Sequence, residues 1–238
     1  MPNRRQVVFL FGEETADADA TMVRGGKGAN LAEMAALGLP VPTGFTVSTT
    51  VARAFREVGV MPIRLQSQLR RAVRSLERES GKKFGDGENP LLVSVRSGAA
   101  VSMPGMMDTI LNLGLNEETV VALAQKFGEE FAFDCYRRFL ALFGEVVYGI
   151  AKDRFKMWKR NLKKVCESHR YVIRKETGRE VPSDPWQQLE LAIQAVFRSW
   201  DSPRAIAYRK ASGVPNWWGT AVNVQEMVFG NLGEDSAT

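Results

Sequence analysis

The chain has 238 residues, 45% hydrophobic and 25% charged, with 21 Gly, 10 Pro and a formal net charge of +5. This is globular composition with room for one large domain or two smaller ones, and it excludes disordered and fibrous classes. No apolar run approaches the ~18 residues of a membrane span, and Cys135 and Cys166 have no metal-ligand spacing, so the expectation is a cytoplasmic protein in a reducing compartment, with no membrane partner.

The positive charge is concentrated. Residues 152–179 hold eleven Lys/Arg against three Asp/Glu. Such a stretch can be a nucleic-acid patch. Its Phe155, Trp158, Leu162 and Val165 fall at helical spacing, however, which makes the lysines a solvated helix face. No nucleic-acid partner is expected.

Val7–Phe11 is a candidate first strand, closed by Gly12, and Thr15–Thr21 reads as a loop. Gly25-Gly26-Lys27-Gly28 then opens a helix that Gly38 ends and Pro40 and Pro42 keep from resuming. Lys27 lies in or just before the first turn, where a cation opposes the helix dipole. A lysine reaching over a glycine-rich entrance toward an anion explains it. The spacing is neither that of a P-loop nor G-x-G-x-x-G. Gly44–Ser48 reads as a second strand, with a helix capped at Thr49 or Thr50 and running to about Val58. Ile63–Glu79 is an amphipathic helix with Leu65, Leu69, Val73 and Leu76 on one face.

The chain is organised around Asn89–Leu115. Leu91–Val95 reads as a buried strand behind an Asn-Pro turn, and it ends on Arg96. Ser97–Gly105 is small, glycine-containing and broken by proline, so it is expected to be neither strand nor helix. An arginine fixed beside such a loop is either a phosphate cradle or a structural arginine before a tight turn. Met103, Met106 and Met107 read as adaptable packing.

Beyond Leu115 the pattern turns helical. Asn116 caps a helix to Phe127; Phe131–Val146 forms the next; 152–177 a third; Asp184-Pro185 starts a fourth through Trp200. Ser202-Pro203 opens a short helix, and Ala221–Phe229 returns to strand. The expected fold is α+β or α/β, with an α/β lobe of residues 1–111 plus 201–238 and a helical insert over 112–200.

Several stretches together resemble one family in the same order: GGKGANLAEMAALGLPVPTGFTVST, NPLLVSVRSGAAVSMPGMMDTILNLGLN, YRRFLALFGEVVYGI, DPWQQLELAIQAVFRSWDSPRA and GTAVNVQEMVFGNLGEDSAT. They look like the N-terminal part of the pyruvate, phosphate dikinases. Phosphoenolpyruvate synthases resemble the central stretch only as far as its arginine-serine step. The resemblance implies the first lobe of an ATP-grasp domain that binds ATP and hands a phosphoryl group to a histidine on a central domain, for interconversion of pyruvate and phosphoenolpyruvate. Carried over, Lys27 matches the lysine near the nucleotide phosphates and Arg96 the ATP-phosphate arginine. Ser97, Gly98, Met103 and Gly105 belong to the segment over the phosphates, and Gln225 and Glu226 lie toward the adenine region.

The resemblance also implies partners outside this sequence: a second ATP-grasp lobe with the acidic Mg²⁺ ligands, the phosphohistidine domain and a barrel. No metal ligand is expected here. His169 lacks the context of the phosphorylated histidine. The expectation is a fragment that is inactive alone; a free-standing nucleotide- or phosphate-binding module is the alternative.

Overall fold

Short runs rich in β-branched residues build the centre of the molecule. They form β1 (Val8–Leu10), β2 (Gly44–Val47), β3 (Val93–Ala99), β4 (Thr109–Leu113) and β5 (Thr220–Glu226). The computed structural model describes residues 6–13, 20–101, 103, 108–156 and 161–230. The strand order is β1-β2-β5-β3-β4, and every neighbouring pair is antiparallel. The alternation of strands and helices along the chain therefore makes no parallel crossovers. The last strand in sequence occupies the middle of the sheet, so the return after residue 200 completes it.

The helices are α1 (Ala20–Ala36), α2 (Thr49–Val58), α3 (Ile63–Ser80), α4 (Thr119–Phe127), α5 (Glu129–Tyr148), α6 (Leu162–Thr177), α7 (Pro185–Ser199) and α8 (Pro203–Ser212). Side-chain caps fix several starts. Asn116 Oδ1 accepts from the amides of Glu118 and Thr119 ahead of α4. Asp184 accepts from Trp186 N at 3.0 Å to start α7, and Ser202 accepts from Ala205 N to start α8. No helix of the described residues is long and apolar enough to cross a membrane.

One face of the sheet is apolar. Phe45 and Val47 of β2, Val222 and Val224 of β5 and Val95 of β3 are buried there in one core with Ile193, Val196 and Phe197 of α7. The same core continues without interruption into Phe139, Leu140 and Phe143 of α5. β4 runs across residues 111 and 112, where the sequence pattern sets the start of the helical insert.

Four local expectations are corrected. Ser97, Gly98 and Ala99 belong to β3, because β5 runs alongside and pairs them with Val222, Ala221 and Thr220. Thr109–Leu113, unread as a strand, adds to the other edge of β3. The glycine-rich helix begins earlier, at Ala20, and Gly25 breaks it with φ 71° and ψ 161°; of the expected loop, residues 15–19 lie outside the described residues. The basic segment is not one helix: a single 3-10 turn at Lys152–Arg154 precedes α6, which starts at the Asn161 cap.

Candidate functional site

Residues paired across neighbouring strands project from the same face of a sheet. The pairings place Thr46 of β2, Asn223 of β5, Arg96 of β3 and Thr109 of β4 in one row. Gly44, Gln225 and Ser94 lie on one side of that row; Ala221 and Gly98 lie on the other. This face is small and polar where the opposite one is apolar, and α1 lies on it.

The glycines of α1 let its backbone touch the sheet. A Cβ on Gly25 would stand 1.6 Å from the Gly98 carbonyl oxygen, and one on Gly28 would stand 2.6 Å from Thr46 Oγ1 and 2.9 Å from Asn223 Oδ1. Beyond the break at Gly25 the helix starts afresh, which puts Lys27 in its first turn. The glycine-rich run is therefore first a packing device, and it carries Lys27 to the end of β3 as a consequence.

Lys27 and Arg96 are brought together. Lys27 is an exposed residue, and partial desolvation of its amine, with a smaller effect from the Arg96 guanidinium, lowers its pKa. Neither side chain forms an ion pair among the described residues. Among the described residues, Arg96 Nε is buried without a hydrogen-bond partner, and so is Asn223 Nδ2. A buried donor left unpaired costs about 1–3 kcal/mol. Two neighbouring cations with no ion-pair partner among the described residues make an arrangement that an anion completes, and bidentate phosphate is the natural match for a guanidinium.

Comparison with known proteins agrees with this chemistry. A family model described as "Pyruvate phosphate dikinase, AMP/ATP-binding domain" matches residues 57–237. The chain belongs to this family.

It is 47% identical over 251 residues to the chloroplastic pyruvate, phosphate dikinase of Mesembryanthemum crystallinum, covering 97% of this chain and 26% of that protein. The Giardia intestinalis pyruvate, phosphate dikinase is 47% identical over 261 residues, covering 100% of this chain and 29% of the relative. The Clostridium symbiosum enzyme is 47% identical over 250 residues, with 97% and 29% covered. The chain thus spans little more than a quarter of the length of these relatives. Arg96 lies inside the match to the pyruvate phosphate dikinase domain; Lys27 precedes it and falls within the Giardia alignment.

The remaining sequence-derived site residues are scattered. Gly98 shares the face of Arg96, whereas Ser97 points to the opposite one. Met103 is buried against Trp200 and Ala205. Gly105 lies outside the described residues, as do Met106 and Met107. Gln225 lies on the Arg96 face, its Nε2 donating to the Pro42 carbonyl at 3.2 Å. Glu226 faces the other way and is already engaged: Lys82 Nζ lies 2.8 Å from one carboxylate oxygen and Thr43 Oγ1 donates to the other. Thr46 and Asn223 carry the row yet have no sequence motif; alternation within GFTV and TAVNVQE was their only signal.

Among the described residues no group of three or more His, Cys, Asp or Glu can hold a metal ion. His169 is buried in α6 against the Phe155 ring. Within the basic segment Arg154 pairs with Glu176, Lys163 with Glu129 and Arg170 with Glu117.

Proposed function

We propose that this chain is the first lobe of the ATP-grasp nucleotide site of a pyruvate, phosphate dikinase. The observation that carries the reading is the joint placement of Lys27 and Arg96 beside the break in α1 at Gly25, neither of them ion-paired among the described residues. In this reading Arg96 grips a phosphate of ATP with two N–H groups, and Lys27 approaches the same triphosphate as a point charge. Backbone amides of the first turn after Gly25 add their dipoles. Gln225 and the chain leading out of β5 lie toward the adenine.

The two cations orient the triphosphate and offset charge as a phosphoryl group departs. The acceptor histidine, the second lobe and the barrel belong to the rest of the parent polypeptide, which converts pyruvate, phosphate and ATP to phosphoenolpyruvate, pyrophosphate and AMP. Mg²⁺, held there by carboxylates from outside this chain, would neutralise phosphate charge. Within the lobe, 1–111 and 201–238 form the α/β part and 112–200 the helical insert; four successive helices inside those limits support the division. We place the protein in the cytosol, where the buried free thiols Cys135 and Cys166 stay reduced.

Calorimetric titration of the chain with ATP tests the reading. Binding that Arg96→Ala weakens is expected; ATP affinity indifferent to both Arg96 and Lys27 would overturn it. A turnover assay with ATP, phosphate, pyruvate and Mg²⁺ is expected to release no AMP from this chain alone.

A further inference from the structure

We propose that the Thr46–Asn223 hydrogen bond is the seat that sets Lys27 over Arg96, making Thr46 and Asn223 positioning residues of the phosphate grip. The inference rests on the nucleotide reading above.

Asn223 stands in the central strand between two apolar neighbours, Val222 and Val224, that point to the opposite face. It is only 1% exposed, so it acts on the site through what it supports. Thr46 Oγ1 donates to Asn223 Oδ1 at 2.7 Å. That bond fixes which end of the carboxamide is which: oxygen toward β2, nitrogen toward β3. The Nδ2 end leans into the space that Gly98 leaves open, since a Cβ at residue 98 would stand 2.4 Å from it. Arg96, paired with Asn223 in the ladder, is therefore flanked on its own face by an ordered amide.

The upper side of the same bond supports α1. Gly28 rests on both of its oxygens, with no room for a Cβ. Lys27 precedes that contact by one residue, in the first turn after the break at Gly25. Arg96 stands on β3, the strand next to β5, and its guanidinium acts on the Lys27 amine. Loss of the hydroxyl leaves the buried amide unpaired at both ends and free to turn. The helix entrance then loses its registered contact. A shift of about 1 Å in a charged group is enough to change phosphate binding substantially.

The lowered pKa of Lys27 supplies a readout that a merely structural role would not move. The test is Thr46→Val, which keeps shape and removes the donor, with Thr46→Ser as the conservative rescue. Across a pH series, acetic anhydride labelling of Lys27 in the full chain is followed by peptide mass spectrometry. ATP affinity is measured in parallel and folding is checked by thermal melting. The expected result for Thr46→Val is an upward move of the Lys27 labelling midpoint and an affinity for ATP weaker by about tenfold. Thr46→Ser is expected to restore both. Should Thr46→Val fail to fold, Gly28→Ala lifts α1 from the pair without removing either polar group and is read the same way.

An unmoved labelling midpoint in the folded variant overturns the inference. If ATP binding falls in Arg96→Ala but not in Thr46→Val, the nucleotide reading survives and the seat does not. If the midpoint moves while the native chain fails to bind ATP, the seat is real and the nucleotide reading fails.

Discussion

Gly25 meets Gly98 backbone to backbone: a Cβ on the first would stand 1.6 Å from the carbonyl oxygen of the second. Two glycines, one at a helix break and one in a strand, are thus the point where α1 joins the sheet. Gly25 also has φ 71° and ψ 161°, a region that residues with a Cβ essentially avoid. Gly25→Ala therefore combines strain with a clash against rigid backbone. We expect a loss of about 3 kcal/mol or more, read as a large drop in melting temperature. Gly38→Ala is the control. Its φ of 74° is equally left-handed, yet nothing lies within 4 Å of the added carbon, so about 1 kcal/mol is expected.

Arg96 has no ion-pair partner among the described residues, so its removal should not unfold the chain. Arg96→Ala is expected to weaken ATP binding tenfold or more, the counterpart of a charge-assisted pair of about 1.5–3 kcal/mol. It should also relieve Lys27 of one of the two causes lowering its pKa. The labelling midpoint of Lys27 should then rise even without nucleotide. Arg96→Lys keeps a charge but not the two-pronged geometry, and is expected to recover only part of the affinity. Equal affinity in all three proteins would make the residue structural.

Arg96 stands out in the sequence as a candidate because it is a charge closing the apolar run Leu91–Val95. The helices α3, α7 and α8 were legible for similar local reasons: Leu65, Leu69, Val73 and Leu76 repeat at helical spacing, and Asp184-Pro185 and Ser202-Pro203 announce starts. What escaped reading depends on partners distant in sequence. Ser97–Ala99 looks like loop until β5, more than a hundred residues later, supplies its ladder. Thr46 and Asn223 are separated by 177 positions and become a pair only through register. β4 is short and carries an irregularity, with Asn112 at φ 57°, so its alternation is broken where a pattern search would look. Met103 belongs to a small cluster with Trp200 and Ala205 that no local pattern discloses.

The Lys82–Glu226 pair fastens the end of β5 to the turn after α3. Its side chains are 29% and 13% exposed, and Glu226 also accepts from Thr43. Glu226→Gln keeps the shape and leaves Lys82 without its counter-charge. A loss of about 1 kcal/mol is expected, between the values of exposed and buried pairs. A double-mutant cycle with Lys82→Met should recover most of it as coupling energy. ATP affinity should change far less than in Arg96→Ala. A larger effect on nucleotide than on stability would instead assign the carboxylate to the ligand.

His169 gives the molecule a specific acid sensitivity. It is 1% exposed, its ring meets Phe155 edge-on at 5.2 Å, and its Nε2 has no hydrogen-bond partner among the described residues. Burial, with a smaller effect from Arg137, lowers its pKa from 6.5 to about 4. The folded chain therefore holds this imidazole neutral where the unfolded chain protonates it. Between 6.5 and about 4 the unfolded state binds the extra proton, so stability falls as pH falls through that window and the effect levels off below it. The contribution is on the order of 3 kcal/mol. Urea melts of the native chain should show this loss, and His169→Gln should flatten the curve across the window at the cost of lower stability near neutrality. Gly144 leaves the space that the Phe155 ring fills, a Cβ there standing 2.4 Å from it, so Gly144→Ala should expel the ring, admit water to Nε2 and bring the midpoint of the acid loss closer to that of an ordinary histidine.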